Sequence, residues 1–515
     1  MLAGTTVPGY ARTAMKHPYA RPVCRALPDV GLPEPRVVPW VLALARAVSG
    51  VYLRTVLGFE RVELRGGERL VGLFRRALAG ELRLILAFRH PYGDEPQLLG
   101  WVFGRGVEKE ARRLGTRLPR LSHAVFVHGY EVPRWGGAFV RWILPRSGAM
   151  PVHHSKLDSA GMARIRAAIE DGPYPLALAP EGQVSYTSDD VPRLEAGAIR
   201  LGFQSADRLD KAGRTEHVEL LPISVHYRYG RRAWGSLQRL VQRITTCTGS
   251  STFTPALSPL DPESGGGPVA GGSPSGTELQ KIGAMQAQLA AALEVILCQA
   301  ERQYGLTGDL AGDRARLAVG ERVEAIVEAA LGAAERLLGL ERGAGDSIER
   351  LYRIRQAGWD RVFLSPGEDP RSASPLQRAI LDRHAGEAWY AMRHMELADF
   401  AWYFRSDPPD FNACSGDGNR QGSQGAGTRA GGGPPHELVE YVENLWDFAN
   451  RLAGGAISGR VNVRPKRAIV IAAPPLDLSG RLDGYRLDRK AATAEALAVL
   501  MNAYQSCIKE ILNEV

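Results

Sequence analysis

Between residues 37 and 230, short β-rich runs alternate with stretches of helical periodicity, and this alternation limits the possible folds more than any other feature. The runs are "LRLILAF" (82–88), "HAVFVH" (123–128), "YPLALAP" (174–180) and "VELLPISVHY" (218–227), and helices are predicted around 96–114, 155–171 and 195–206. Alternation of this kind predicts an α/β layer structure whose sheet is largely parallel.

The sequence changes in character after residue 230. Two segments rich in Gly, Ser and Pro, 248–277 and 407–435, have the composition of flexible linkers. Apolar periodicity predicts helices over 278–303, 313–343, 373–405 and 436–453, followed by a strand over 468–471 and a helix over 488–513.

These boundaries predict one α/β domain interrupted by a mostly helical insertion. The predicted segments are an N-terminal tail (1–36), a core (37–230), the insertion with its two linkers (231–459), and a C-terminal strand and helix that complete the core (460–515).

Charge and cysteine content exclude several classes of function. The net charge is +8, from 64 Lys and Arg against 56 Asp and Glu, which favours an anionic partner or surface. The sequence has neither a run of five basic residues nor a zinc-finger or RNP-type motif, so we predict no binding to nucleic acid. The five cysteines are far apart and form no Cys-x-x-Cys pair, which argues against a disulfide framework and against a zinc site.

No cofactor or metal is predicted. The sequence contains neither a Gly-x-Gly-x-x-Gly nor a Walker motif. His153 and His154, taken with His123 or His128, lack the acid-and-histidine spacing that would complete a ligand set for a metal.

Residues 37–59, "VVPWVLALARAVSGVYLRTVLGF", form the most apolar helical stretch near the N-terminus, and Arg46 and Arg54 divide it into an amphipathic pattern. Such a helix can lie in a membrane interface, or it can pack on its own core. The first reading predicts a peripheral protein on the cytoplasmic side of a membrane. Residues 1–28 contain no acid and several Arg, a weak transit-peptide-like bias that leaves plastid import open.

The run "LILAFRHPYGDEPQLLG" places a histidine directly after a predicted strand and two acids shortly after it. Pro91 biases His90 away from helical geometry, while Asp94 and Glu95 begin the next helical pattern. A carboxylate on one ring nitrogen would leave the other free to act as a general base. The alternative is that the spacing of His90 and Glu95 arises by chance. The same spacing recurs in "HMELAD", where His394 and Asp399 lie roughly 140° apart on a predicted helix and cannot meet.

A second polar group follows another predicted strand. "LALAPEGQVSY" ends its β run at Pro180-Glu181-Gly182, and the carboxyl ends of parallel strands are where α/β folds place ligands. The alternative reading of Glu181 is a turn residue in a Pro-Glu-Gly bend.

These blocks resemble the glycerophospholipid acyltransferases, the family that includes the lysophosphatidic acid acyltransferases. The resemblance covers roughly 80–230 and, more faintly, 466–513. The family's first block is His-x4-Asp at a strand exit, and "HPYGDE" puts Glu95 at the Asp position with Asp94 one residue earlier. The resemblance implies that His90 is the catalytic base, with Glu95 as its first-choice partner and Asp94 as the second choice.

The remaining blocks are altered. "GGAFVR" is similar to the second block, which implies that Phe139 and Arg141 contact the acceptor and that Arg141 binds its phosphate. The third block, Pro-Glu-Gly-Thr-Arg, appears as "PEGQV", which implies acceptor binding by Glu181 and Gly182. The family's Arg falls at Val184, so Arg193 is the candidate for the missing cation. Two shorter matches are Gly197-Ala198, similar to the family's helix start, and Leu221-Pro222-Ile223, which would line the acyl pocket.

The resemblance implies a glycerolipid acyltransferase-like layered sheet and direct transfer of a fatty acyl group from a thioester, on coenzyme A or acyl carrier protein, to a glycerolipid hydroxyl, most simply that of 1-acylglycerol-3-phosphate. The acyl thioester is a co-substrate rather than a cofactor, and the expected partners are the thioester donor, a lysophospholipid or glycerol-phosphate acceptor and a membrane surface. Two alternatives stay open at this point: a histidine-dependent hydrolase, and a non-catalytic lipid-binding or scaffolding protein with the same fold.

Overall fold

The computed structural model describes residues 25–28, 33–153, 158–191, 193–250, 276–306, 317–365, 368–369, 372–401, 404, 432–455 and 459–513. The predicted linkers 248–277 and 407–435 fall largely outside the described residues, as do His154 and most of the predicted tail. The strands are β1 (Phe59–Arg65), β2 (Leu82–Phe88), β3 (Val125–Gly129), β4 (Met150–Val152), β5 (Leu176–Leu178), β6 (His217–Arg228), β7 (Lys466–Ala472) and β8 (Leu476–Asp477).

The helices, numbered in chain order, occupy most of the rest of the described chain. They are α1 (Pro39–Thr55), α2 (Gly67–Ala79), α3 (Glu95–Trp101), α4 (Val107–Arg113), α5 (Val132–Trp135), α6 (Gly137–Arg146), α7 (Ser159–Asp171), α8 (Gly197–Lys211), α9 (Ala233–Thr248), α10 (Gly276–Gln303), α11 (Val319–Leu338), α12 (Ser347–Val362), α13 (Pro375–Ala401), α14 (His436–Leu452), α15 (Leu482–Leu487) and α16 (Arg489–Asn513). A π-helical turn, Val102–Gly106, joins α3 to α4.

The strands form one mixed, mostly parallel sheet in the order β1-β7-β6-β2-β5-β3-β4, with β8 paired to β6. The pairs of β6 with β7 and with β8 are antiparallel, and the other pairs are parallel. The predicted α/β class is therefore confirmed. The sequence analysis missed β1, α2, the short edge strands β4 and β8, the helices α5, α6, α9 and α15, and α12, whose N-terminus is capped by the Asp346 side chain.

Helices cover both faces of the sheet, which explains why β2 is a continuous apolar run rather than an alternating one. On one face, Ile85 and Ala87 join a buried cluster with residues of α7, α8 and α16. On the other face, Phe88 contacts Phe126, and Phe103 contacts both Phe126 and Phe74 of α2. The sheet is thus the middle layer of three.

The chain divides into two compact units. The larger comprises 29–293, 408–444 and 462–515 and contains the whole sheet. The smaller comprises 1–28, 294–407 and 445–461. In the smaller unit α11, α12 and α13 pack together, and buried ion pairs such as Arg322 with Glu301 (2.9 Å) and Arg350 with Glu335 (2.9 Å) link its helices.

Helix α13 contains the histidine and the acid whose spacing matches that of His90 and Glu95. In α13, His394 Nδ1 lies 2.9 Å from the Tyr304 hydroxyl while Asp399 pairs with Arg355, so the two side chains have separate partners, as helical spacing requires.

Within the part of the chain that the structure describes, the segment Ile282–Gln303 of α10 is long and apolar enough to cross a membrane. One of its faces is buried, including Met285, Leu289 and Leu297, and buried core helices meet the same criterion.

Candidate active site

His90 lies at the carboxyl edge of the sheet, two residues beyond the end of β2. Its neighbours in the sheet are β5 and β6, both parallel to β2, so their carboxyl ends meet at this edge. Opposite Phe88, β6 has reached only Ile223 and continues for five residues past the end of β2. This extension carries Tyr227, whose hydroxyl contacts Glu95, and the carboxyl edge of the strands is where open α/β sheets bind ligands.

Glu95 holds the imidazole of His90. The distance from His90 Nδ1 to Glu95 Oε2 is 2.6 Å. Glu95 is the first residue of α3, and the chain reaches it through a tight turn at Gly93, whose φ of 89° suits glycine. The backbone N–H groups of Tyr92 (3.1 Å) and Gly93 (2.8 Å) donate to the same carboxylate, and the Tyr227 hydroxyl donates to Oε1.

The charge state of this pair follows from burial and hydrogen bonding. Burial alone would raise the pKa of Glu95, but the hydrogen bond from His90 and the further donors lower it below its usual value. Burial alone would lower the pKa of His90, but the hydrogen bond and charge of Glu95, with the charges of Glu181 and Asp94, raise it above 6.5. The His90 side chain keeps 19 % of its surface exposed while Glu95 keeps none, so His90 is the member of the pair that a substrate can reach.

The second candidate acid, Asp94, has a different partner. Its Oδ2 lies 2.6 Å from Lys466 Nζ, and Asn462 Nδ2 donates to the same oxygen at 3.2 Å. Lys466 opens β7, which runs antiparallel to β6 and therefore begins at the edge where β6 ends. The ammonium is fully buried, and it lies within 5.3 Å of the ring centroids of Phe59, Tyr92 and Tyr227.

Glu181 contacts the backbone of His90 and the side chain of the preceding residue, Arg89. Its Oε1 accepts from Nε of Arg89 at 2.6 Å, and its Oε2 accepts from the backbone N–H of His90 at 2.9 Å. Gly182, with φ of 74°, makes the turn that brings Ser185 back to donate its N–H to the His90 carbonyl at 2.9 Å. The acceptor-binding role that the resemblance implies for Glu181 and Gly182 stays a prediction; the observed contacts fix the backbone of His90.

The other predicted binding residues lie on separate segments. Phe139 and Arg141 are exposed on α6, where the Phe139 ring contacts Trp142 at 6.2 Å between centroids. Arg193 is exposed in the segment before α8. The helix predicted at Gly197 does begin there, and Leu221, Pro222 and Ile223 are buried in the middle of β6.

A second polar cluster, centred on Asp189, was not predicted. Ser224 Oγ lies 2.9 Å from His226 Nε2, and His226 Nδ1 lies 2.7 Å from Asp189 Oδ1. The second oxygen of Asp189 lies 2.5 Å from His436 Nε2 and 2.9 Å from Arg228 Nη2. The only sequence signal was the alternation of Ser224 and His226 on a strand, which puts them on one face of β6 while Tyr227 points to the other.

The cluster around Asp189 is more deeply buried than the site at His90: Ser224 and His226 have no exposed surface, whereas the His90 side chain is partly exposed. Burial would raise the pKa of Asp189, but the charge of His436, the two histidine hydrogen bonds and Arg228 hold it well below its usual value. Burial lowers the pKa of His226, which favours a neutral ring. The order serine, histidine, aspartate has the connectivity of a nucleophilic triad, yet Ser224 has 0 % exposed surface and no substrate can reach it.

Comparison with known proteins adds no relative to this description. No protein-family model and no curated protein matches the chain. Among the described residues, no group of three or more His, Cys, Asp or Glu side chains is arranged to hold a metal ion. The functional interpretation therefore depends on the geometry and on the motif resemblance.

Proposed function

We propose that the protein is an acyltransferase of the glycerolipid type, which moves a fatty acyl group from a coenzyme A or acyl-carrier-protein thioester to a glycerolipid hydroxyl, with 1-acylglycerol-3-phosphate as the first acceptor to test. One observation carries the proposal: a partly exposed imidazole at the carboxyl edge of a parallel sheet is oriented by a fully buried carboxylate 2.6 Å away. The ordered motif blocks support the acyltransferase class and the acyltransferase fold.

The chemistry follows from the His90–Glu95 pair. Glu95 accepts the Nδ1–H of His90, which leaves Nε2 with a lone pair to take the proton of the acceptor hydroxyl. The acceptor oxygen then forms its bond to the thioester carbonyl carbon, and the carbon–sulfur bond breaks as the tetrahedral intermediate collapses. The imidazolium returns its proton to the thiolate leaving group, while Glu95 stabilises the positive ring in between.

A lipid acceptor requires access to a membrane surface, and one face of the larger unit suits that surface. Trp40, Leu44, Val48 and Val51 form an exposed apolar stripe along α1. The stripe continues onto α6, because the Trp40 ring contacts Trp142 at 5.9 Å between centroids and Trp142 contacts Phe139.

We call this stripe, formed by Trp40, Leu44, Val48 and Val51 with Phe139 and Trp142, the α1–α6 face. Neither helix contains an acid, and Arg54 and Arg141 are exposed on them. An apolar face with flanking cations matches the surface of a bilayer that contains anionic lipids. The proposal therefore includes peripheral binding of the protein to such a membrane.

Transfer of labelled acyl groups tests the proposal. Wild-type protein is given labelled acyl-coenzyme A or acyl carrier protein with glycerol 3-phosphate, 1-acylglycerol-3-phosphate, other lysolipids or no acceptor. We expect label in a lipid product, and we expect His90→Ala to reduce the rate by on the order of a hundredfold or more. His217→Ala is the matched control, because His217 also pairs with an acid, Asp477, but is exposed at the other end of β6.

The other outcomes separate the competing functions. Release of free fatty acid without acceptor, lost in His90→Ala, would replace the transferase by a hydrolase. Absence of transfer and of hydrolysis with both donors, in protein shown to be folded, would contradict the catalytic proposal and favour lipid binding alone.

A further inference from the structure

One face of α14 contacts the segment that follows Glu181. His436, Glu440 and Asn444 are spaced by four residues and so share this face. Glu440 Oε1 accepts from the N–H (3.0 Å) and the hydroxyl (2.6 Å) of Ser188, and Asn444 Nδ2 donates to the Tyr186 carbonyl at 3.1 Å. The third contact of the face is the one between His436 and Asp189.

The segment held in this way has an uncommon backbone conformation. Tyr186 is buried and has a φ of 58°, in the left-handed region that side chains other than glycine rarely adopt. Such a conformation persists only where the surrounding contacts determine it. The Asn444 bond to the Tyr186 carbonyl and the Glu440 bonds to Ser188 are two of those contacts.

From this segment, one series of contacts leads to the backbone of His90. The guanidinium of Arg89 donates to the carbonyl of Ser188 (2.9 Å) and of Thr187 (3.0 Å). Arg89 is fully buried and pairs with Glu181, whose other oxygen accepts the His90 N–H. Arg89 and Glu181 therefore link the backbone of Ser188 to the backbone of His90 through charge-assisted hydrogen bonds.

A second series of contacts starts from the same oxygen of Glu440. The hydroxyl of Tyr92 donates to Glu440 Oε1 at 2.8 Å. The Tyr92 ring stacks on the ring of Tyr227, with centroids 4.5 Å apart and planes 15° apart, and the Tyr227 hydroxyl donates to Glu95. The N–H of Tyr92 donates to Glu95 directly. Both series therefore end on the two members of the His90–Glu95 pair.

We propose that Glu440 is a positioning residue: by holding Tyr92 and Ser188 at one carboxylate oxygen, it fixes the imidazole of His90 and the carboxylate of Glu95 relative to each other and to the acceptor hydroxyl. The inference rests on the proposed function, in which His90 is the base. It also gives a specific task to α14, which comes from the region whose role the sequence left open. Glu440 acts through other residues and does not touch the reacting atoms.

Kinetics of two Glu440 variants test the inference. A displacement of about 1 Å at a reacting group costs on the order of a hundredfold in rate, so we expect Glu440→Ala to lower kcat at least tenfold with little change in the acceptor KM. Glu440→Gln keeps an oxygen that can accept the same three hydrogen bonds and is expected to restore most of kcat. The control is Glu219→Ala, which removes a glutamate that is also buried and that pairs with Arg76 near the start of β6.

A spectroscopic measurement makes the test independent of activity. In full-length protein labelled with 15N at histidine, with the His90 signals assigned by comparison with His90→Ala, the wild type is expected to show a single tautomer protonated at Nδ1. Glu440→Ala is expected to shift the two ring-nitrogen signals of His90, whereas Glu440→Gln and Glu219→Ala leave them in place. If Glu440→Ala does not fold, Tyr92→Phe, which removes one hydroxyl and keeps the stacked ring, takes its place.

The outcomes are distinct. Wild-type kcat and unshifted His90 signals in a folded Glu440→Ala protein, or in Tyr92→Phe where that variant is used, would overturn the inference, as would equal losses of kcat in Glu440→Ala and Glu219→Ala without a change at His90. Shifted His90 signals in a protein whose wild type transfers no acyl group would contradict the proposed function and still support the positioning role of Glu440.

Discussion

Asp94 and the fully buried Lys466 form an ion pair, with 2.6 Å between Oδ2 and Nζ, although their positions differ by 372 in the chain. The pair decides how the two adjacent acids after His90 are used. Asp94 neutralises Lys466, whose side chain has no exposed surface, and Glu95 accepts a hydrogen bond from Nδ1 of His90. The two carboxylates therefore have different roles in the structure: Asp94 joins β7 to the loop after β2, and Glu95 orients the imidazole of His90.

Removing the lysine should destabilise the fold strongly. In Lys466→Met, Asp94 keeps only 13 % of its side chain exposed and loses the cation that neutralises it, so we expect the free energy of unfolding to fall by about 3–5 kcal/mol. The double variant Asp94→Asn, Lys466→Met should recover part of this loss, because it buries no lone charge. Urea unfolding measures both, with Arg481→Ala as the control, since Arg481 and Glu495 form an exposed pair worth about 0–1 kcal/mol. A loss below about 1 kcal/mol in Lys466→Met would contradict the pairing.

The pH dependence of acyl transfer should report the His90–Glu95 pair. His90 must be neutral to accept a proton, so the rate rises with pH through the pKa of His90, which the pair raises above 6.5. We expect the midpoint of the acidic limb of kcat/KM to lie above pH 6.5 in the wild type. In Glu95→Gln the carboxylate charge is gone while burial remains, so the midpoint should move to lower pH and the maximal rate should fall by on the order of a hundredfold. An unchanged midpoint in Glu95→Gln would show that another group titrates.

A comparison of kcat with KM distinguishes the two roles considered for Glu181. Its observed partners are Arg89 and the backbone of His90, so Glu181→Gln should lower kcat through displacement of the base and leave the acceptor KM nearly unchanged. Direct contact with the acceptor would instead raise KM with a smaller change in kcat. Steady-state kinetics with varied acceptor concentration, on protein whose unfolding midpoint is measured in parallel, gives the answer.

Binding to lipid vesicles tests the α1–α6 face. We expect the wild type to sediment with vesicles that contain anionic lipid, less so as salt is raised, because screening weakens the attraction of the exposed arginines. The double variant Leu44→Glu, Val51→Glu should bind at least tenfold more weakly. Leu487→Glu introduces the same kind of change at an exposed leucine outside this face and should bind as the wild type does. Equal binding by all three proteins would place the membrane contact elsewhere.

Ser224→Ala tests whether the Asp189 cluster takes part in catalysis. Ser224 is buried, so we expect the rate of acyl transfer to stay within about twofold of the wild type, since a hydroxyl without access to substrate adds nothing to the chemistry. The free energy of unfolding should fall by about 1–3 kcal/mol, because His226 loses a buried hydrogen-bond partner. Loss of acyl release in Ser224→Ala, at unchanged stability, would assign the serine a nucleophilic role.

Much of the layered architecture can be predicted from local patterns. The runs that became β2 and β6 are apolar because both faces of the sheet are covered, and His90 follows the first of them directly. The edge strand β4 spans three residues and β1 has only one buried position, so neither carries the apolar signal from which a strand is predicted. The helix α12 was missed although Asp346 and Glu349 form a capping box at its start.

The α/β class, the strand exit at His90 and an acid close to it in the chain follow from local patterns, because apolar periodicity and the bias before proline are properties of neighbouring residues. Long-range contacts in the folded chain establish that Glu95 rather than Asp94 pairs with the His90 ring, that Tyr227 donates to Glu95, and that Glu440 contacts Tyr92. They also bring Asp189 to His226. These partners come from β6, β7 and α14, far apart in the chain, and they meet because strand pairing brings the end of β6 and the start of β7 to one edge of the sheet. No local pattern encodes that pairing.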